Sequence, residues 1–409
     1  MVTEAAFATR AGRMKASEIR ELLKLLDRPD IVSFAGGIPD PALFPAEAFA
    51  EAYRHILAGE AGRAALQYSV SEGYRPLRDR LVGQMAGLGI ACTADNVFIV
   101  SGSQQALDYL GKLYLSPSDT ALVTTPTYLG ALQAFNAYEP AYDQLSPGGN
   151  RTAESYRQAA AAAGGRVKLA YLSADFANPT GETLGREGRE RLIDLAEELD
   201  VALVEDAAYQ ALRYDGEPIP PILALELARK GGDIERTRTI YCGSFSKTLS
   251  PGLRVGFVVA SRAVIGKLVL IKQAADLHSS TINQMAIAEV AAGQFGEQVE
   301  RVRAVYRRRR DAMLAALARY MPAGVAWTRP EGGMFVWLTL PAGLDAAALL
   351  AEAVETQKVA FVPGQAFHAD GTGANTLRLS FSCADEAAIE AGIARLGGLL
   401  EGAIGRRAA

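Results

Sequence analysis

Histidine, cysteine and tryptophan are scarce in this chain, at 3, 3 and 2 of 409 residues. Cys92, Cys242 and Cys383 lie far apart, without the paired spacing of a zinc site or the even count of a disulfide framework. They fit a reducing, cytoplasmic setting. His55, His278 and His368 show no metal-ligand spacing, so no metal is expected. No apolar run approaches the ~18 uncharged residues of a membrane-spanning helix, and the longest, such as Val255–Ala260, are of strand length. Residues 1–26 carry scattered charges and no apolar stretch, so no signal peptide is expected. An excess of positive charge is missing too. With 42 basic and 46 acidic residues the net charge is −4, which argues against nucleic acid or an anionic membrane as the main partner. The consecutive arginines at 307–310 read as the solvated face of a helix whose Val302, Val305 and Tyr306 point inward.

What the chain does have is apolar bulk, 49% of its residues, arranged in strand-like runs between helical patterns. Val97–Val100 and Val201–Val204 are continuous apolar runs, and Val167–Leu172 and Thr239–Cys242 are mainly apolar ones of strand length. Residues 103–115 and 186–199 carry helical periodicity, the latter with Leu192, Ile193, Leu195, Ala196 and Leu199 on its inner side. Continuous apolar strands alternating with helices predict an α/β fold, a mostly parallel mixed sheet sandwiched by helices. After about residue 290 the pattern changes to a long helix over 298–320, two strand-like runs and a final helix, which predicts a smaller α+β domain. The expected division is an N-terminal helix and arm at 1–48 belonging to the small domain, a large domain at 49–295, and the rest of the small domain at 296–409.

In such sheets ligands bind beyond the carboxyl ends of the strands, so polar residues just after each strand carry the chemistry. Asp206 follows a strand that reads as buried on both faces; it is either a functional carboxylate or a strand-end acid that caps a helix. Lys247, in the hydroxyl-rich loop Gly243-Ser244-Phe245-Ser246-Lys247, suits amine chemistry, because burial and neighbouring cations lower an ammonium pKa; the alternative is a plain ion pair. Arg254, past Pro251-Gly252, suits a phosphate dianion. Ser101-Gly102-Ser103-Gln104 opens a helix directly after a strand and offers free N–H groups to an anion. Neither a dinucleotide glycine fingerprint nor a Walker loop occurs. A phosphate cradle, an amine nucleophile and a buried acid at the ends of one sheet together suit pyridoxal phosphate.

The order of segments carries a family resemblance. SFAGGIPDPALFP (33–45), QYSVSEGYRPLR (67–78), SGSQQALD (101–108), NPTG (178–181), EDAAY (205–209), GSFSKTLSPGLRVGF (243–257), GGMFVW (332–337), FVPG (361–364) and NTLRLSFS (375–382) run almost end to end. The chain resembles the fold-type I pyridoxal-phosphate aminotransferases, nearest the branch with 2-aminoadipate and kynurenine aminotransferases. The resemblance implies that Lys247 forms the Schiff base with the cofactor and later moves the substrate proton. It implies that Asp206 keeps the pyridine nitrogen protonated and that Asn178 and Tyr209 hydrogen-bond the ring oxygen. Tyr128 would stack on the ring, while Ser103, Gln104, Ser244, Ser246 and Arg254 hold the phosphate. Tyr68 would reach that phosphate from the partner subunit of a homodimer with shared sites. Arg378 would bind the substrate carboxylate, with Asn178 and Gly37 beside it.

Two features concern selectivity. Ser17 and Arg20 share a helix face at i, i+3; Arg20 is expected to bind a distal carboxylate and to swing away for aromatic side chains, or else to be a surface residue. Asp175, in Ser173-Ala174-Asp175-Phe176-Ala177, stands where relatives usually carry other residues, and either faces solvent or alters substrate preference. The expected activity is transamination between an L-amino acid (2-aminoadipate, glutamate, aromatic or aliphatic) and a 2-oxo acid such as 2-oxoglutarate. Another reaction at Cα or Cβ, decarboxylation or β-elimination, is the alternative. A cofactor-sensing regulator is the reading from outside enzymology; such proteins carry a basic module before the cofactor domain, and none is expected here.

Overall fold

The computed structural model describes residues 6–14 and 30–408. Ser17 and Arg20 lie outside the described residues. A short strand β1 (Val32–Ser33) precedes the strands of the large sheet: β2 (Val97–Val100), β3 (Thr120–Val123), β4 (Ala141–Gln144), β5 (Val167–Leu172), β6 (Ala202–Asp206), β7 (Thr239–Ser244) and β8 (Gly256–Val259). Then come β9 (Ala326–Trp327), β10 (Phe335–Thr339), β11 (Val359–Ala360), β12 (Val362–Pro363) and β13 (Thr376–Ser380).

The seven-stranded sheet has the order β2-β8-β7-β6-β5-β3-β4. From β7 to β4 every pairing is parallel, and β8 runs antiparallel to both its neighbours. The expected mostly parallel mixed sheet is what the structure has. Every residue of β2, β3 and β6 is buried, because helices cover both faces; this is why those strands read as unbroken apolar runs. The reversed direction of β8 has a local result. Its first residue, Gly256, is opposite Val100 on one side and Ser244 on the other. The loop entering β8, with Arg254, is thereby brought to the edge where β2, β5, β6 and β7 end.

A four-stranded antiparallel sheet of order β12-β13-β10-β9 packs with the helix Glu386–Ala408 into a second core with Phe335, Leu377, Leu379, Ile389 and Leu396. The start of the described chain joins it: β1 pairs in parallel with β11, and the Ser380 N–H donates to the Phe34 carbonyl at 2.9 Å. Among the described residues no helix is long and apolar enough to cross a membrane.

One helix differs from expectation. The long helix starts at Thr281, not near Gln298, and runs unbroken to Tyr320. Gly293 and Gly296 weaken the pattern without breaking it, since no proline intervenes and Met285, Ala286, Val290 and Ala291 keep a buried stripe. Its first half packs with the large-sheet core; Val302, Tyr306, Met313 and Leu317 pack with the second core.

Two glycines in the terminal helix show how closely the first strand docks. A methyl at Gly392 would meet Phe34 at 2.7 Å and Val32 at 2.9 Å, whereas one at Gly398 would meet nothing within 4 Å. Gly398→Ala should therefore gain about 0.5–1 kcal/mol of unfolding free energy from helix propensity. Gly392→Ala should lose about 1–3 kcal/mol through overpacking despite the same gain in propensity. Urea unfolding of both variants reads the opposite signs.

Candidate active site

The ends of the central strands open into one cavity lined by Ser103, Gln104, Tyr128, Tyr171, Ser173, Asn178, Asp206, Ala208, Tyr209, Ser244, Ser246, Lys247, Pro251 and Arg254. Its chemistry divides into an anionic end, a cationic end and an amine between them.

Asp206 closes β6 and is only 5% exposed. Its Oδ2 accepts from the Tyr171 hydroxyl at 2.8 Å and its Oδ1 from the Ala208 N–H at 3.3 Å. Burial raises its pKa, and these donors with the Lys247 charge only partly oppose the effect. A buried carboxylate without a directly bonded basic partner among the described residues fits a site that receives a cationic ring nitrogen.

At the opposite end the helix Ser103–Tyr114 begins directly after Gly102, whose φ of +82° is left-handed. A side chain there would collide with the Arg254 guanidinium, at 2.2 Å from Nη2. Glycine thus lets the guanidinium lie against the helix N-terminus, where free N–H groups already favour an anion. Arg254 has φ +54° and spends its donors on the Pro251 and Ser101 carbonyls, at 3.1 and 3.3 Å, with no ion pair among the described residues. Ser244 Oγ donates to Ser246 Oγ at 2.9 Å and accepts the Ser246 N–H at 3.1 Å. Three hydroxyls, a guanidinium and a helix terminus form a phosphate-shaped donor set.

Lys247 Nζ donates to the Gly37 carbonyl at 3.0 Å and stands 5.7 Å from the Tyr209 ring centre. Burial, then the charges of Arg378 and Arg254, bring its pKa down to about 8. Arg378, in β13, is 1% exposed and donates to Asn178 Oδ1 at 2.8 Å and to the Ala35 carbonyl at 3.0 Å. Its Nε is buried with no hydrogen-bond partner among the described residues, a donor left for a ligand. Burial takes even this guanidinium down to about 10. Gly37 lies against it: a Cβ there would stand 3.5 Å from Nη2. Asn178 Nδ2 also faces the Tyr209 hydroxyl at 3.5 Å. Tyr128 donates weakly to Gln104 Oε1 at 3.4 Å, and Gln104 Nε2 to the Gly130 carbonyl at 2.6 Å. Burial raises the pKa of Tyr209 and takes that of Tyr128 to about 12, so both hydroxyls keep their protons.

The structure thus gathers Ser103, Gln104, Tyr128, Asn178, Asp206, Tyr209, Ser244, Ser246, Lys247 and Arg254 around one cavity, with Gly37 and Arg378 against it. Tyr68 stands apart, 78% exposed, with its ring edge on His278. Sequence reasoning missed Tyr171 and Ser173. In β5 only Lys168, near its start, and Tyr171, near the carboxyl end, carry polar tips, and the position of Tyr171 was the available signal. Asp175 does not face solvent: it is 5% exposed and paired with Arg189 and Arg213, which overturns that half of its reading.

Sheet and cavity together define an α/β enzyme built around pyridoxal phosphate. The family of class I and II aminotransferases matches residues 29–396, and the chain belongs to it. It is 47% identical over 397 residues to a 2-aminoadipate transaminase of Thermus thermophilus, covering 97% of each chain. It is 43% identical to an aromatic-amino-acid aminotransferase of Thermococcus litoralis, over 95% of this chain and 93% of that one. A solved α-aminoadipate aminotransferase of Thermus thermophilus, complexed with N-(5'-phosphopyridoxyl)-L-leucine, superposes with a TM-score of 0.88 at 43% identity over 99% of this chain and 100% of that one. The protein is a pyridoxal-phosphate-dependent aminotransferase.

The geometry around Lys247 is testable without substrate. In the cofactor-free protein, competitive acetylation read by mass spectrometry should show the Lys247 amine becoming reactive with a midpoint near pH 8. Surface lysines should follow only near ~10.4. A Lys247 midpoint with the surface group would contradict the burial argument.

Proposed function

We propose that this enzyme moves the amino group between an L-amino acid and 2-oxoglutarate, with 2-aminoadipate, glutamate, and aromatic or aliphatic amino acids as donors. The observation that carries the reading is the span from Asp206 through Lys247 to Arg254, continued by the unsatisfied Arg378 Nε. The names of the relatives, aminoadipate and aromatic, support a pocket tolerant of both side-chain classes.

Bound in this cavity, pyridoxal phosphate supplies a carbonyl for the amino group and a ring that delocalises electrons from the substrate Cα. Arg254, Ser103, Ser244, Ser246 and the helix N-terminus bind its phosphate, helped by Gln104. Asp206 holds the proton at the ring nitrogen, and Tyr171 keeps the carboxylate aimed. Asn178 and Tyr209 orient the ring oxygen, and Tyr128 covers one ring face and excludes water. Arg378 binds the substrate carboxylate in a two-pronged contact that orients the Cα bond to be broken. The Lys247 amine takes the Cα proton and returns it to the carbon that received the amino group. An amine with a pKa about 8 loses and regains a proton with little driving force either way, the condition for a general base near neutral pH.

The same reading makes the active unit a homodimer. Tyr68 projects from a surface with Leu66 at 74%, Val70 at 55% and Leu277 at 41% exposure, an apolar patch suited to burial by a second copy. Tyr68 would then reach the partner's phosphate site. Net negative charge and the scattered free cysteines agree with a cytoplasmic enzyme that binds no nucleic acid.

Incubated with pyridoxal phosphate, 2-oxoglutarate and a panel of amino acids, the purified protein should form glutamate. Lys247→Ala should reduce that rate by at least about 10³-fold, in line with the loss of both a nucleophile and a base. Pyruvate or released carbon dioxide in place of glutamate would favour β-elimination or decarboxylation.

Selectivity is read separately. Arg20, outside the described residues, is proposed to grip distal carboxylates, with Ser17 beside it. Arg20→Ala should lower kcat/KM for 2-aminoadipate and glutamate about 10-fold or more, the scale of one lost charged contact, and leave leucine and phenylalanine nearly unchanged. Equal losses for all substrates would remove Arg20 from the distal pocket.

A further inference from the structure

The catalytic reading makes no use of Asp175, which stands in the middle of the segment 173–178. Both ends of that segment belong to the site. Ser173 Oγ donates to the Asp206 carbonyl at 2.9 Å, and Asn178 Oδ1 receives Arg378 Nη1 at 2.8 Å. Between them the backbone turns through Phe176 at φ +52°, a left-handed conformation that a bulky residue keeps only when its surroundings hold it.

The holding is done from behind, by two arginines that share one oxygen. Asp175 Oδ1 accepts from Arg189 Nη2 at 2.8 Å and Arg213 Nη2 at 3.4 Å. Arg189 is fully buried on the inner face of the helix Arg186–Leu199, and its other donors reach the carbonyls of Leu184 at 2.9 Å, Ala174 at 3.3 Å and Pro220 at 3.1 Å. Arg213 lies over the Phe176 ring at 4.9 Å and pairs with Glu331 at 2.8 Å. A guanidinium with this many carbonyl partners has no freedom left, so its carboxylate partner is pinned as well. A buried charge pair is retained at a desolvation cost that an apolar residue would avoid. Here it fixes a position.

We propose that Asp175, gripped by Arg189 and Arg213, is a positioning residue that sets where Asn178 stands relative to Arg378 and Tyr209. The substrate carboxylate and the cofactor ring oxygen both meet that corner, so the proposal rests on the aminotransferase reading given above. Its effect is on the placement of groups already present, and displacements of about 1 Å at such a corner cost up to about 100-fold in rate.

The test uses holoenzyme. Asp175→Asn keeps the side-chain shape and removes the charge. It should weaken binding of glutarate, an unreactive dicarboxylate, and raise KM for the amino acid, each about 10-fold, and it should move the pH midpoint of the bound cofactor's visible absorbance. Leu192→Ala opens a cavity in the same helix, away from the corner; it should lower the melting temperature and leave glutarate affinity and the absorbance midpoint at wild-type values. Where Asp175→Asn yields too little folded protein, Arg213→Gln, at the edge of the cluster, carries the same expectation. Wild-type glutarate affinity and absorbance midpoint in the charge-removing variant, with only a loss of stability, would overturn the proposal. Failure of the underlying reading looks different: the wild-type enzyme itself would then make no glutamate from 2-oxoglutarate, and the proposal would fall with it.

Discussion

Burying an ammonium beside two guanidinium groups is the constraint on which this site depends. Water is removed from Lys247 by the strand ends beneath it and by the Gly37 loop above it, and Arg378 and Arg254 disfavour its proton further. The shift from 10.5 to about 8 corresponds to about 3 kcal/mol set against the ammonium form. A fold carries such a penalty when the surrounding cores overdetermine the position. Lys247 stands between two of them: the large sheet supplies the loop that carries it, and β13 supplies Arg378.

Asp206 is the counterweight at the other end of the cavity. Its pKa rises through burial just as that of Lys247 falls, so both groups are pushed toward neutrality when they have only each other. A doubly charged phosphate and a protonated ring nitrogen would supply the missing opposite charges. Each end of the cavity is thus electrostatically incomplete in a complementary sense, and the donor chemistry selects a ligand that is an anion at one end and a cation at the other. A helix N-terminus and an arginine alone would accept any phosphate. The carboxylate some distance away restricts the choice.

Much of this was readable from residue order, because strand ends announce themselves. VFIV into Ser-Gly-Ser, VALV into Glu205-Asp206, and IYC into the Lys247 loop each pass from buried apolar residues to small or polar ones within a single step. Other parts depend on registers that no local pattern displays. Tyr171 matters because β5 and β6 pair with Tyr171 opposite Val204, which puts its hydroxyl within reach of Asp206. The antiparallel turn of β8 that brings Arg254 to the site leaves no mark in an apolar run. The helix start at Thr281 was obscured by two glycines whose cost is offset by burial on either side. Arg189 left a trace that is clear once its partners are known: it lies three residues before Leu192, on the face otherwise occupied by leucine, isoleucine and alanine. A charge on the buried stripe of an amphipathic helix signals a buried partner, and Asp175 is that partner.

The forty-residue helix Thr281–Tyr320 gives the two cores a mechanical relation. From residue 298 to its end it extends about 33 Å, at 1.5 Å per residue. A bend of about 5° at the glycine-weakened stretch 293–296 therefore carries the far end through about 3 Å, roughly the length of one hydrogen bond. Arg378 and the anchor of the Gly37 loop belong to the core at that end, so such a bend would move both of them together. A small change of angle near the large sheet would become a change in the distance between the Arg378 guanidinium and the Lys247 amine.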